Sequence, residues 1–252
     1  MDVELKEGER LDDLQCGGLK IIQSPRLFSF GIDAVLLANF ARIKPGDIVV
    51  DLGTGSGVIP LLLTCKTAAS KIYGLEIQHE MADMAQRSVR LNDLEGRVDI
   101  IEGDIRKVSD RMGMSSVDAV ISNPPYRKEG SGHVSPSDAR AIATYEFECT
   151  LDDVIKAAST LLKNKGRFYM IHRPARLVDA ICGMRKAGIE PKRLRMVQPF
   201  ADKKPTMFLI EGIKGAHPHI DIMPTLIIYE AEGIYTDEIY RIYGMEVPEH
   251  GR

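Results

Sequence analysis

The sequence predicts an α/β fold: a doubly wound, mainly parallel seven-stranded sheet that ends in a terminal antiparallel hairpin. Three observations lead there. Five short apolar runs recur along the chain, helical patterns lie between them, and after Gly188 the alternation gives way to two further apolar runs joined by a Pro- and Lys-rich connection. Strands that alternate with helices pair in parallel, because a crossover helix packs back on the sheet it left.

Taken in order, residues 11–30 alternate enough for a small β-rich cap. Residues 1–30 are therefore expected to form an N-terminal cap, and residues 31–252 the main domain with a C-terminal extension. The runs 47–52, 71–76, 98–102, 117–122 and 167–172 are bounded by turn residues and read as short buried strands. Between them, 57–66, 79–94 and 152–163 carry apolar residues at three-to-four spacing, as Met81, Met84, Ala85 and Val89 illustrate, which is the helical period. The runs 194–197 and 207–212 are placed to pair as the closing hairpin. The tail adds 226–229, then Tyr235, Ile239, Tyr240 and Ile242; there is no internal repeat and no low-complexity linker.

Composition excludes several classes. With 44% hydrophobic and 27% charged residues the chain is neither disordered nor collagen-like. No apolar run approaches the ~18 residues of a membrane-spanning helix, and the opening MDVELKEGER lacks a signal-peptide pattern, so a cytoplasmic protein with no membrane partner is expected. Cys16, Cys65, Cys149 and Cys182 form no CxxC pair, which suggests neither a zinc site nor a dithiol motif; reduced thiols and no metal are expected. The net charge is −3, yet residues 163–204 hold 12 Lys or Arg against Asp179, Glu190 and Asp202, a local balance of +9.

The first strand runs into Asp51-Leu52-Gly53-Thr54-Gly55-Ser56-Gly57 and then a helix. Backbone without side chains at Gly53, Gly55 and Gly57 lets a ligand approach closely. A dinucleotide fingerprint needs Gly-x-Gly-x-x-Gly, but counting from Gly53 its last position is Val58, and from Gly55 it is Pro60. A phosphate loop fails too, since no Gly-Lys-Ser/Thr follows. What remains resembles the cofactor loop of class I S-adenosylmethionine-dependent methyltransferases. Glu76 ends the second strand, where a carboxylate accepts hydrogen bonds from both ribose hydroxyls. The resemblance implies that Asp104, after the third strand, meets the adenine ring. Acidic residues suit this cofactor, which has no phosphate and carries a sulfonium charge. Upstream, Phe28-Ser29-Phe30-Gly31-Ile32-Asp33 resembles the segment that closes over the methionine end in amino-methyltransferases, making Gly31 and Asp33 cofactor-site candidates.

After the fourth strand comes Ser122-Asn123-Pro124-Pro125-Tyr126, which resembles the Asn-Pro-Pro-Tyr motif of enzymes that methylate planar amino groups. Such nitrogens are poor nucleophiles because the lone pair delocalises into a ring or carbonyl. The Asn123 side-chain oxygen and the Pro124 carbonyl would each accept one amino hydrogen, favouring a pyramidal nitrogen aimed at the methyl group. Prolines 124 and 125 preset the carbonyl direction, and Tyr126 offers a flat face for the extruded group. No strong general base is required. Residues 127–137, rich in Gly, Ser and Lys, are expected to form a substrate loop; His133 and Arg140 are weaker candidates for substrate contact.

Together with Gly-Ser-Gly-x-x-Ser-Pro at 130–136 and Tyr-Thr-x-Glu at 235–238, these features resemble the bacterial tRNA1(Val) adenine-N6 methyltransferase family over nearly the whole chain. That resemblance implies S-adenosylmethionine as cofactor, tRNA as partner, and methylation of the adenine 3′ of the anticodon. Arg173, Arg176, Arg193 and Arg195 in the basic segment are the first choices for phosphate contact. Protein glutamine N5-methylation, methylation of rRNA or DNA, and a non-catalytic cofactor-binding module remain as alternatives.

Overall fold

The computed structural model describes residues 4–25, 27, 30–124 and 149–248. Its main sheet is built from β3 (Ile48–Leu52), β4 (Lys71–Glu76), β5 (Val98–Glu102), β6 (Val117–Ser122), β7 (Leu162–His172), β8 (Ile189–Gln198) and β9 (Met207–Lys214), in the order β8-β9-β7-β6-β3-β4-β5. The five strands from β5 to β7 are parallel, and β9 runs antiparallel between β7 and β8. Two short strands, β10 (Asp221–Ile222) and β11 (Leu226–Ile227), extend the β8 edge. The hairpin expected from 194–197 and 207–212 is present and longer, because β8 and β9 pair from Ile189↔Lys214 to Val197↔Met207.

Helices cover both faces. α1 (Ile32–Phe40), α2 (Val58–Lys66), α3 (His79–Leu91) and α7 (Asp237–Tyr243) bury residues in one apolar cluster. α4 (Val108–Met112), α5 (Leu151–Leu161) and α6 (Leu177–Lys186) bury theirs in the other. Strand alternation feeds the two layers: Tyr169 and Ile171 of β7 point into the first, Phe168 and Met170 into the second. A strand buried on both faces reads as a continuous apolar run, which is why these strands stood out in the sequence.

Ahead of the sheet, β1 (Arg10–Asp13) and β2 (Lys20–Gln23) pair antiparallel as a separate two-stranded ribbon. It docks on α3, where Ser88 Oγ accepts from Ile22 N–H at 2.9 Å and Arg87, almost fully buried, holds Glu9 at 2.5 Å. One expectation about the thiols is overturned here. Cys16, in the ribbon's turn, and Cys65, in α2, are joined as a disulfide with Cα atoms 6.3 Å apart. Their separation of 49 residues hides this proximity, which arises only when the ribbon folds over α2. Cys149 and Cys182 are free.

Two of the arginines expected to meet phosphate are structural. Arg193 is buried, pairs with Glu211 on the neighbouring strand, donates to the Phe40 carbonyl at 3.1 Å and lies 4.4 Å from the Phe40 ring centre. Arg195 forks onto Glu238 at 2.7 and 2.8 Å, tying β8 to α7. The period-2 pattern of β8 turns these side chains onto elements beyond the strand, information that a charge count lacks. Arg193→Leu is expected to cost about 3–5 kcal/mol by stranding the Glu211 carboxylate; urea denaturation measures it, and an unchanged midpoint would contradict the buried pair.

Candidate active site

Strand order reverses between β3 and β6, so the connections leaving their carboxyl ends diverge and open a crevice there, the usual ligand position in such sheets. All the site residues expected from the sequence that are described lie on this edge or on α1 beside it. Pro125, Tyr126, the 127–137 loop, His133, Arg140, Phe28 and Ser29 lie outside the described residues.

From β3 the chain passes Asp51 and enters the glycine turn. Gly53, Gly55 and Gly57 have φ of +73°, +58° and +86°, the left-handed region that favours glycine. At Gly53 a Cβ would meet nothing within 4 Å, so the backbone there borders open space. At Gly57 a Cβ would sit 3.1 Å from that of Ala85, so this glycine allows α2 to start against α3. The turn is fastened to β4 by Gly53 and Thr54 N–H groups, which both donate to the Leu75 carbonyl at 2.9 and 3.0 Å.

Glu76, wholly buried at the end of β4, accepts from Gly55 N–H and Gln78 N–H, each at 2.9 Å. A carboxylate oxygen can accept more than one hydrogen bond. Asp51 is also wholly buried. Neither its carboxylate oxygens nor the Thr54 hydroxyl has a hydrogen-bond partner among the described residues. Burial pushes the Asp51 carboxyl up to about 7, and the neighbouring Glu76 carboxylate adds to this, while the adjacent Thr54 hydroxyl opposes it without reaching hydrogen-bond geometry. Asp104, half-buried after β5, receives Arg106 at 2.6 Å and caps the short turn that follows; the guanidinium holds its carboxyl below the usual range.

Across the reversal, Ser122 Oγ donates to the Leu52 carbonyl at 2.9 Å and ties the end of β6 to that of β3. Asn123 Nδ2 then donates to Asp33 Oδ2 at 3.0 Å, joining residues 90 positions apart. Since an ionised carboxylate only accepts, this contact turns the amide nitrogen toward Asp33 and leaves Oδ1 as the end not engaged by it. Gly31 caps α1 two residues before Asp33. Sequence reasoning placed Asp33 with the cofactor and missed its bond to Asn123. It also missed His172, at the end of β7 beside this edge. Burial, with Arg176 and Arg173 near, pushes that imidazole down to about 4, and Nδ1 accepts from Arg173 N–H at 2.8 Å.

The surroundings of the glycine turn therefore include buried carboxylates rich in acceptors. Such a lining fits a ligand bearing hydroxyl and ammonium donors and a positive charge, as S-adenosylmethionine does, and disfavours a phosphate. Asp51 also gives a pH signature. Its carboxyl is raised in the folded protein, so between pH ~4 and ~7 the unfolded chain is ionised while the folded one is not, and stability falls as pH rises. Asp51→Asn removes that dependence. Its stability advantage over the native protein is expected to widen across that interval and level off above ~7; thermal unfolding over pH checks this, and a constant difference would refute the raised pKa.

Known proteins resemble this chain over most of its length. Residues 19–180 match the Methyltransferase small domain family. A tRNA1(Val) (adenine(37)-N6)-methyltransferase from Porphyromonas gingivalis is 31% identical over 221 residues, covering 84% of this chain and 86% of that protein. One from Dyadobacter fermentans is 26% identical, covering 83% and 85%. Among solved structures, a predicted O-methyltransferase from Agrobacterium tumefaciens superposes with a TM-score of 0.69 at 22% identity, covering 84% of this chain and 95% of that one. A geranyl diphosphate C-methyltransferase from Streptomyces coelicolor, solved with S-adenosyl-L-homocysteine, gives 0.53 at 14% identity, covering 72% and 78%. These two likenesses concern the fold alone. With its glycine turn, buried carboxylates and strand order in place, the chain belongs to the Methyltransferase small domain family and to that of the tRNA1(Val) (adenine(37)-N6)-methyltransferases, as a class I S-adenosylmethionine-dependent enzyme.

Proposed function

We propose that this enzyme methylates the exocyclic N6 of an adenine in tRNA, the one immediately 3′ of the anticodon, and that it works in the cytoplasm. The observation that carries the reading is Asn123, held by Asp33 at the end of β6, on the same edge of the sheet as the buried carboxylates Asp51 and Glu76. The name and near-complete coverage of the Porphyromonas gingivalis relative support the substrate. Among the described residues no helix is long and apolar enough to cross a membrane, and no group of three His, Cys, Asp or Glu side chains is placed to hold a metal.

S-adenosylmethionine, when bound, supplies an electrophilic methyl group on a sulfonium. Gly31, Asp33, Asp51, Gly53, Gly55, Gly57, Glu76, Asp104 and Asn123 line its side of the site, with Glu76 accepting from the ribose hydroxyls. Asn123 Oδ1 and the Pro124 carbonyl accept the two amino hydrogens of the substrate. That pair of contacts favours a pyramidal nitrogen and so stabilises the transition state more than the planar ground state. Tyr126 stacks on the base. Once methylated, the nitrogen is acidic and its extra proton leaves to water without a strong base. Residues 1–30 serve as a cap on the transferase domain formed by residues 31–252; the ribbon's contacts with α3 support this division.

The test uses tRNA from cells lacking this gene and methyl-labelled S-adenosylmethionine. Label is expected in tRNA as N6-methyladenosine. Asn123→Ala is expected to lower turnover by about 10²–10³-fold, as for a lost oriented polar contact, while calorimetry shows cofactor affinity within about twofold of native. Native turnover by that variant would overturn the role of Asn123, and label in protein as N5-methylglutamine would replace the substrate.

A further inference from the structure

The carboxyl edge of the sheet carries a second cluster, apart from the buried carboxylates Asp51 and Glu76. Phe200 lies in the connection from β8 to β9. Tyr229 and Tyr235 are directly opposed in a small hairpin, β12 (Tyr229–Ala231) and β13 (Ile234–Tyr235), so their rings project from one face. Tyr243 ends α7. The four rings form a continuous series. Phe200 and Tyr229 are 5.5 Å apart and tilted by 34°, Tyr229 and Tyr235 are 5.2 Å apart and within 17° of parallel, and Tyr235 and Tyr243 are 5.7 Å apart and within 16°. The three tyrosines also pack against the apolar cluster of the first helical layer, yet all four rings stay half-exposed. Phe200, at one end, has Tyr229 as its single ring neighbour among the described residues.

Topology sets this series on the same edge of the sheet as Asn123. Because β7 is parallel to β6, β9 antiparallel to β7 and β8 antiparallel to β9, the β8–β9 connection emerges at the edge where Asn123 stands. At the other end, α7 packs on α1, and Asp33 of α1 is close enough to help raise the Tyr243 phenol, after the larger effect of burial. α7 is anchored in this position by the Arg195 fork on Glu238 and by Lys66 Nζ donating to the Ile242 carbonyl at 2.7 Å. The rings thus lead outward from the residue that holds Asn123. Lys203 and Lys204, both exposed, follow Phe200 in the same connection. Glu230 and Glu232 lie toward the hairpin turn, so a polyanion is favoured on the lysine side.

We propose that Phe200, backed by the stacked Tyr229, Tyr235 and Tyr243, takes an unpaired RNA base flanking the adenine presented to Asn123, with Lys203 and Lys204 neutralising the adjoining phosphates. Lys203 pairs with exposed Asp202 at 2.8 Å, in water where a phosphate competes for it; a partly exposed ring beside exposed cations is the combination that binds single-stranded RNA, where bases are available to stack. The inner tyrosines keep the ring from turning, so little side-chain freedom is lost on binding. This role rests on the tRNA reading above.

The experiment is steady-state methylation of a full-length tRNA1(Val) transcript, either intact or carrying an abasic ribose next to the target adenine on its 5′ or 3′ side, by the native enzyme, Phe200→Leu and Phe200→Tyr. Phe200→Leu is expected to raise KM for the intact transcript about 5- to 150-fold, with kcat and cofactor affinity near native, and Phe200→Tyr to behave as native. One of the abasic transcripts is expected to raise KM of the native enzyme similarly and to add nothing further in Phe200→Leu. Unchanged KM in Phe200→Leu, or losses that multiply with both abasic transcripts, would overturn the stacking role while leaving the tRNA reading intact. Failure of the native enzyme to methylate the intact transcript would overturn the tRNA reading and the stacking role with it.

Discussion

Asp51 and Glu76 stand at the carboxyl ends of two adjacent parallel strands with both carboxylates wholly buried, and the surrounding architecture answers the cost of keeping them there. Glu76 is compensated within the chain by two backbone N–H donors, one of them from the glycine turn itself. Asp51 has no hydrogen-bond partner among the described residues, and burial pushes its carboxyl up. Side chains at Gly53, Gly55 and Gly57 would oppose the left-handed turn that brings Gly55 N–H over Glu76. A buried carboxyl of this kind is one that a cationic, donor-bearing ligand would satisfy.

The basic residues divide the same way, between groups consumed by the fold and groups left at its edge. Arg167 grips Asp47 at 2.5 Å, Arg193 pairs with Glu211, and Arg195 clamps Glu238. Each joins elements distant in sequence, and each is worth most where a partner would otherwise be stranded. Lys203 and Lys204 stay exposed at the carboxyl edge, Lys203 paired with exposed Asp202 at 2.8 Å. The +9 of residues 163–204 thus overstates the charge available to a polyanion, since a large share of it is already neutralised by carboxylates from other parts of the chain.

The bond from Asn123 to Asp33 links the two halves of the proposed reaction centre. Asp33 belongs to the helix that precedes the sheet, Asn123 to the far side of the strand reversal, and α1 is itself pinned by α7 from the tail. A residue in the tail can therefore influence the acceptor site through packed helices, without touching it. In the proposed reaction, fixing which end of the Asn123 amide faces Asp33 is as important as having the amide there, because a reversed amide would offer donors to a substrate that also donates.

Periodicity and turn chemistry alone determined the elements. The strands at 71–76, 98–102 and 117–122 and the helix beginning at His79 were legible because apolar spacing is a local property. The glycine turn, Glu76 and Asn123 were legible for a related reason: phosphate-binding alternatives fail on spacing, and strand ends are where such a sheet binds ligands. Only the tertiary structure decided which partners those residues take. The Cys16–Cys65 pair, the Asp33–Asn123 bond, the burial of Arg193 and the aromatic series from Phe200 to Tyr243 all join segments far apart in the chain. A residue type states what a side chain is able to bond; the register of the sheet and the layer a helix occupies decide what lies within the ~3 Å that a hydrogen bond requires.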